Sequence, residues 1–294
     1  MSDIFAIPII SRGRIIEPGE DAVEYAGRGG SRFRTPDPHR HIHDLVLNDP
    51  VALADLRDTP MSQIIEFLAE VGKRLRLEDN AWLQESFALA LAAGGLAEPI
   101  LRGVYDDLPR MFDPQGLTAM VDKSVGIPFL DGWVPSAAPF DNVRVRAMGT
   151  RQLHITAGNV PVVAALTIVR GALTKSDVLI KSPSNDPLTA NAIARTLIGV
   201  DASHPVTRHV AVAYWKGGDE EMDRQIVRVS RIDKITAWGG MSSVKHIQKF
   251  LTPGIDLTAL NPKYSMSVIG AEALENDAAM EEAATGIAVI SGFY

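Results

Sequence analysis

From Gln152 onward the chain alternates short β-branched runs with longer helical ones, and this alternation limits the fold more than any other feature. The runs at 152–156, 177–181, 209–214, 234–238 and 264–269 read as strands. Helical periodicity fills the intervals at 160–173, 187–198, 219–229 and 242–250, and a fifth helix starts near Asn276. A strand that returns to its sheet through a helix lies parallel to its predecessor, and the crossover is right-handed. The pattern therefore predicts an α/β fold: an open, twisted, mostly parallel, doubly wound sheet with helices on both faces. Ligands of such sheets lie beyond the carboxyl ends of the strands, so the residues just after each strand are the ones to inspect.

The preceding half reads differently. Residues 1–60 form an irregular extension, broken by Gly27, Gly29, Gly30, Pro36 and Pro38 and carrying arginines at 12, 14, 28, 32, 34 and 40. Residues 61–139 form a helical part that packs on the sheet. Ile64, Ile65, Phe67, Leu68 and Val71 mark its first helix, 79–93 its second, and Leu117, Met120 and Val121 a third that ends near Gly126. A connection through Pro128, Gly132, Pro135 and Pro139 leads into a dinucleotide-binding unit over 140–294.

Composition narrows the function. Lys plus Arg is 29 against 36 for Asp plus Glu, a net charge of -7, which disfavours nucleic acid as a partner. The longest stretch free of charged residues, 152–169, is interrupted by Gln152, His154, Asn159 and Pro161, so no membrane span is expected. The N-terminus lacks the basic, apolar and small-residue succession of a signal peptide, and a cytoplasmic location follows. Cysteine is absent, which removes disulfides, thiolate metal sites and any thiolate nucleophile within these residues.

The usual dinucleotide fingerprint is missing: the nearest string, Gly27 to Arg32, ends in Arg and follows no clear strand. What does follow the strands is AGNVP at 157–161, KSPSNDPLTA at 181–190 and AWGGMSS at 237–243. In this order and spacing the three segments resemble the cofactor domain of the aldehyde dehydrogenase superfamily over about half of the chain, from Arg151 to Tyr294. More narrowly, HITAGNVP, LTKSDVLIKSPSNDPLTANAIAR and AWGG resemble the acyl-CoA reductases of the LuxC type. The resemblance implies NADPH-dependent reduction of a long-chain fatty acyl-CoA to the aldehyde through an acyl group held on a cysteine.

The resemblance also assigns roles. Asn159 would donate to the oxyanion as a thioester is attacked, although the same side chain could cap the following helix. Lys181, Ser182, Ser184, Gly239, Gly240 and Ser242 would bind the cofactor. Lys181 would meet the adenosine ribose; a solvated strand-end lysine is the plainer alternative. Ser184 replaces an acid that would repel a 2'-phosphate, which turns the choice towards NADPH. The two glycines allow backbone close to a ligand, and Ser242 or Ser243 would cap a helix whose amides attract a pyrophosphate. Trp238 is expected to pack at its strand end.

Two departures from the family matter. The hydrolytic ELGGK element appears as Ala259, Leu260, Asn261, Pro262 and Lys263, so the water-activating glutamate is replaced by Ala259, which suits acyl-CoA chemistry. The nucleophilic cysteine, expected a few residues after ISGFY at 290–294, lies outside these residues, so the chain reads as the N-terminal and cofactor portions without the catalytic domain, inactive alone. The alternatives are an aldehyde dehydrogenase relative with another acyl substrate and a non-catalytic cofactor-binding or assembly subunit. Acyl-protein synthetase and acyl-transferase subunits, and a homo-oligomer, are the implied partners. His39, His41 and His43, followed by Asp44, would line one side of a strand and could ligate a metal, but no metal is expected; Asp219, Glu220, Glu221 and Asp223 suit a helix dipole.

Overall fold

The structure, a computed structural model, describes residues 4–136, 143–158, 161–260 and 266–293. Its centre is a seven-stranded sheet of β1 (Ile9–Ser11), β2 (Arg14–Ile16), β3 (Arg151–Ile155), β4 (Asp177–Lys181), β5 (Val210–Ala213), β6 (Lys234–Trp238) and β7 (Asp256–Leu260). The spatial order is β7-β6-β3-β4-β5-β1-β2. Strands β7 to β5 run parallel, and the β1–β2 hairpin adds antiparallel to the edge of β5. The chain winds outward from β3 through β4 to β5, then returns to place β6 on the other side of β3. The winding therefore reverses between β3 and β6, where a crevice opens at the carboxyl ends.

Burial on both faces explains why β4 and β5 read as continuous apolar runs. Val178 and Ile180 enter one core and Leu179 the other; Val210 and Val212 are likewise separated from Ala211 and Ala213. The first core is completed by the helices α1 (Met61–Lys73), α2 (Ala81–Ala92), α3 (Glu98–Asp106), α4 (Pro114–Ser124), α5 (Val162–Leu173) and α6 (Thr189–Asp201). Met222 and Ile226 of α7 (Glu220–Ile226) and Val244 and Ile247 of α8 (Met241–Gln248) fill the second. Each buried Leu or Ile contributes about 1.5–3 kcal/mol. Helix α2 starts where it does because Asn80 accepts from the amides of Trp82 and Leu83, both at 3.1 Å. The Asn80 amide also donates to Thr196 at 2.9 Å, tying α2 to α6. A last helix, α9, covers Asp277–Phe293.

Four of the strands lie within a residue or two of the sequence reading, but the fifth does not. It forms at β7, while 266–269 have no regular structure and 264–265 lie outside the described residues. At the sheet edge only Leu257 and Ala259 pack inward, so the apolar signal of β7 is weak. The stronger-looking run holds Met266 and Val268 in solvent, at 88% and 86% exposure. The first sixty residues are also more ordered than their composition implies. Ile4–Ala6, Val23–Ala26 and Arg32–Thr35 form a small sheet, and β1 and β2 join the large one. Helix α3 escaped the sequence reading because Gly94, Gly95 and Pro99 surround its start, although Pro is well tolerated in a first turn.

The amino ends of the strands are sealed by buried ion pairs. Asp177 opens β4 at 3% exposure and accepts from the Arg12 guanidinium and from His209 Nδ1 at 2.9 Å. His209 Nε2 meets Asp55 at 2.7 Å, so both ring nitrogens donate to carboxylates and the ring is an imidazolium. Arg151 donates to Asp233 and to the carbonyls of Val229 and Ser230. Lys175, 2% exposed, donates to the carbonyls of Arg57 and Thr59 and to Asp131.

Burial alone would push the His209 pKa down, but the hydrogen bonds and charges of Asp177 and then Asp55 outweigh it and raise it. A raised folded pKa gives stability that is complete below the unfolded value of about 6.5 and is lost as pH rises through the folded one. His209→Gln should therefore cost about 3 kcal/mol at about pH 6 and less at about pH 9 when each is compared with wild type at the same pH by urea denaturation. A cost equal at the two pH values would refute this account.

Candidate functional site

At the carboxyl ends of the strands, around the reversal point, lies a cleft of about 370 Å³. Ile155 closes β3 on its floor, and Lys181 closes β4 beside it. Gly217 and Gly218, in the turn after β5, form one wall with Asp223 of α7. Helix α8 supplies Ser242, Ser243, His246 and Ile247 opposite.

Lys181 sends its ammonium over aromatic faces, 5.2 Å from the Trp215 ring centre and 5.9 Å from that of Tyr214. It has no hydrogen-bond acceptor among the described residues. Burial pushes its pKa down to about 8, against the pull of Asp223 and Asp219 towards the charged form.

Asp223 is 3% exposed and fully engaged: Oδ1 accepts from the Trp215 indole at 3.0 Å and Oδ2 meets His246 Nε2 at 2.8 Å. A carboxylate can only accept, so Nε2 carries the proton. That leaves Nδ1 of His246 without a partner among the described residues. Asp219, one turn earlier, caps α7 through the Met222 amide at 3.0 Å and meets His39 Nε2 at 2.8 Å. Burial lowers the His39 pKa, but Asp219 more than compensates and the net direction is up. The N-terminal segment thereby reaches α7.

The three neighbouring histidines do not lie on a strand, as the alternating pattern implied. His39 and His41 belong to a tight turn at Pro38–His41 and His43 to the helical turn Ile42–Leu45, because Asp37 and Pro38 start a turn there. Among the described residues no group of three or more metal-ligating side chains converges.

The structure brings Lys181 and Ser242 into one cleft. Gly239 and Gly240 lead directly into it, and a Cβ on Gly239 would sit 3.5 Å from that of Ser243. Helix α8 begins at Met241, so Gly240 is its N-cap, and Ser242 and Ser243 stand inside the first turn rather than capping it. Ser182 is 1% exposed, its amide donates to Ala213 at 3.0 Å, and its hydroxyl has no partner among the described residues; it does not line the cleft. Strand alternation turns it away from Lys181. Ser184 is half-buried and also lies off the cleft wall. Asn159 lies outside the described residues, as do 261–263. Ala259 is the next-to-last residue of β7, paired with Ala237. The Trp238 indole nitrogen is buried and has no partner among the described residues.

The turns after β3 and β4 meet at Gly158, where an added Cβ would fall 2.0 Å from Oδ1 of Asn185. Any larger residue there would displace the Asn185 side chain, so the glycine lets the two turns approach with that side chain in place. Asp223 and His246 are the site residues that sequence reasoning missed. Four acids at a helix start satisfy the dipole, which hid the one that turns inward. His246 follows Ser242 by four residues and so shares its helix face, a usable signal.

A cation beside a partly apolar cleft, with a helix start opposite, suits an anionic ligand that also carries a flat apolar part. The family model described as acyl-CoA reductase (LuxC) matches residues 56–292. Long-chain acyl-protein thioester reductase of Vibrio harveyi is 28% identical over 98% of this chain and 58% of its own length. The enzyme of the same name from Aliivibrio fischeri is 31% identical over 80% of this chain and 47% of its own. The chain thus spans about half the length of these relatives. Among solved structures, aldehyde dehydrogenase from Bartonella henselae has a TM-score of 0.72 at 12% identity, covering 99% of this chain and 59% of that one. NADP-dependent glyceraldehyde-3-phosphate dehydrogenase from Bacillus halodurans, solved with NADP, has a TM-score of 0.67 at 16% identity over 87% of this chain and 52% of that one. The fold is that of the aldehyde dehydrogenases, and the chain belongs to the LuxC acyl-CoA reductase family.

Proposed function

We propose that this chain is the NADPH-binding portion of an enzyme that reduces a long-chain fatty acyl thioester to the aldehyde. The observation that carries the reading is the shared cleft of Lys181 and the first turn of α8 at the reversal point of the sheet. The residues fit the cofactor: an ammonium with no acceptor among the described residues faces a helix start whose approach is bare glycine backbone. Lys181 would hold the ribose side and its 2'-phosphate, with Ser184 nearby in place of a repelling acid. Gly239, Gly240 and the first amides of α8 would receive the pyrophosphate. Ser182 keeps its place as a support for the β4 turn, not as a ligand.

When bound, the nicotinamide supplies the hydride. Asn159 would donate to the thioester oxygen as it gains charge. The attacking thiol comes from outside these residues, which hold no cysteine, so the chain alone would bind and not turn over. Ala259 holds no proton-accepting group, which protects a thioester from water. We read the substrate as the acyl-CoA; the names of the relatives favour an acyl-protein thioester as the second reading. The division at residues 60 and 139, with a separate catalytic domain, belongs to the same proposal.

Met266, Val268, Ile269 and Leu274 are exposed ahead of α9, and Met280, Ile287 and Ile290 along it, an apolar surface of the kind that association covers. We place a homo-oligomer contact there. Among the described residues no helix is long and apolar enough to cross a membrane.

Calorimetric titration of this chain should show NADPH binding at least about tenfold tighter than NADH, and no aldehyde should form from a long-chain acyl-CoA; heat from neither dinucleotide would overturn the reading. Affinity for NADPH should fall as pH rises through about 8, where Lys181 loses its proton. Lys181→Met should weaken NADPH about tenfold and abolish that pH dependence. In sedimentation, a single species at 31.8 kDa would refute the oligomer.

A further inference from the structure

We propose that His246 reads the base of the cofactor, accepting a hydrogen bond from the adenine 6-amino group through Nδ1. The proposal rests on the cofactor reading above and adds a residue that sets its specificity. Three observations carry it. The tautomer is fixed from behind: Trp215 can only donate, so it takes Oδ1 of Asp223, and Oδ2 takes the proton of His246 Nε2. The remaining ring nitrogen is then an acceptor, without a partner among the described residues, on a side chain that lines the cleft. The side chains of Ile155 and Ile247, which line the same cleft, favour an apolar planar group over a phosphate beside His246.

The shape of the corner selects a planar group. Ile155 and Ile247 offer apolar surface, and Gly217 and Gly218 present bare backbone, where an added Cβ would meet nothing within 4 Å. A purine fits such a slot, and adenine and hypoxanthine differ where they would meet His246. Adenine offers an amino donor; hypoxanthine offers a carbonyl oxygen, which opposes the Nδ1 lone pair. An acceptor facing an acceptor inside a partly desolvated cleft leaves both unsatisfied.

The test is calorimetric titration of this chain with NADPH and with its hypoxanthine analogue, both at one pH. Wild type should bind NADPH about tenfold tighter than the analogue. His246→Phe keeps a ring but removes the acceptor, and the two affinities should become equal. Asp223→Asn gives a reading that loss of packing cannot produce. Its oxygen must still face Trp215, so its amide nitrogen faces His246 and forces the proton onto Nδ1. The preference should then invert towards the hypoxanthine analogue. Equal binding of both dinucleotides by wild type, or a preference that survives His246→Phe, would overturn the inference and leave the cofactor reading standing. Failure of both dinucleotides to bind wild type would remove the cofactor reading and this inference together.

Discussion

A parallel sheet covered by helices on both faces can present polar chemistry only at its two ends, and this constraint organises the molecule. At the amino ends, charges that would be costly to bury are matched inside one junction: Asp177 with Arg12 and His209, Arg151 with Asp233, Lys175 with Asp131. These pairs join segments far apart in sequence, so the helical half, the N-terminal hairpin and the sheet are fixed against one another. The carboxyl ends are left open, and the reversal of winding at β3 decides where the opening lies.

Within that opening one buried carboxylate organises most of the polar atoms. Asp223 holds the Trp215 indole on one oxygen and His246 on the other, and the Trp215 ring in turn supports the Lys181 ammonium. A chain of this kind orients each group through the one before it, so the cleft is shaped before any ligand arrives. Asp219 repeats the device one turn away, engaging His39 and anchoring the N-terminal segment to the same helix.

The strand–helix alternation made the fold legible, since β3 to β6 are short, apolar and followed by residues that start helices. The edge strand β7 was hidden because an edge buries only one side, leaving Leu257 and Ala259 as its whole signal. Motif spacing pointed to Lys181 and Ser242, because the end of a strand and the start of a helix are local events. Ser182 is buried off the cleft wall, because adjacent residues of an extended chain face opposite ways. Asp223 and His246 matter through a contact 23 residues apart, and no local pattern distinguishes the inward acid among four.

The hairpin β1–β2 has a temporal consequence. Its strand partner β5 begins some two hundred residues later, with Ala211 beside Ser11. During synthesis the first segment emerges long before the surface it completes, and a contact of such sequence separation carries a heavy closure entropy. Ile9 and Ile10, both buried in the finished protein, must wait uncovered until the sheet behind them exists. The hairpin thus leaves the ribosome well before its partner strand and is among the last elements to find its place, and until it docks β5 presents an open edge.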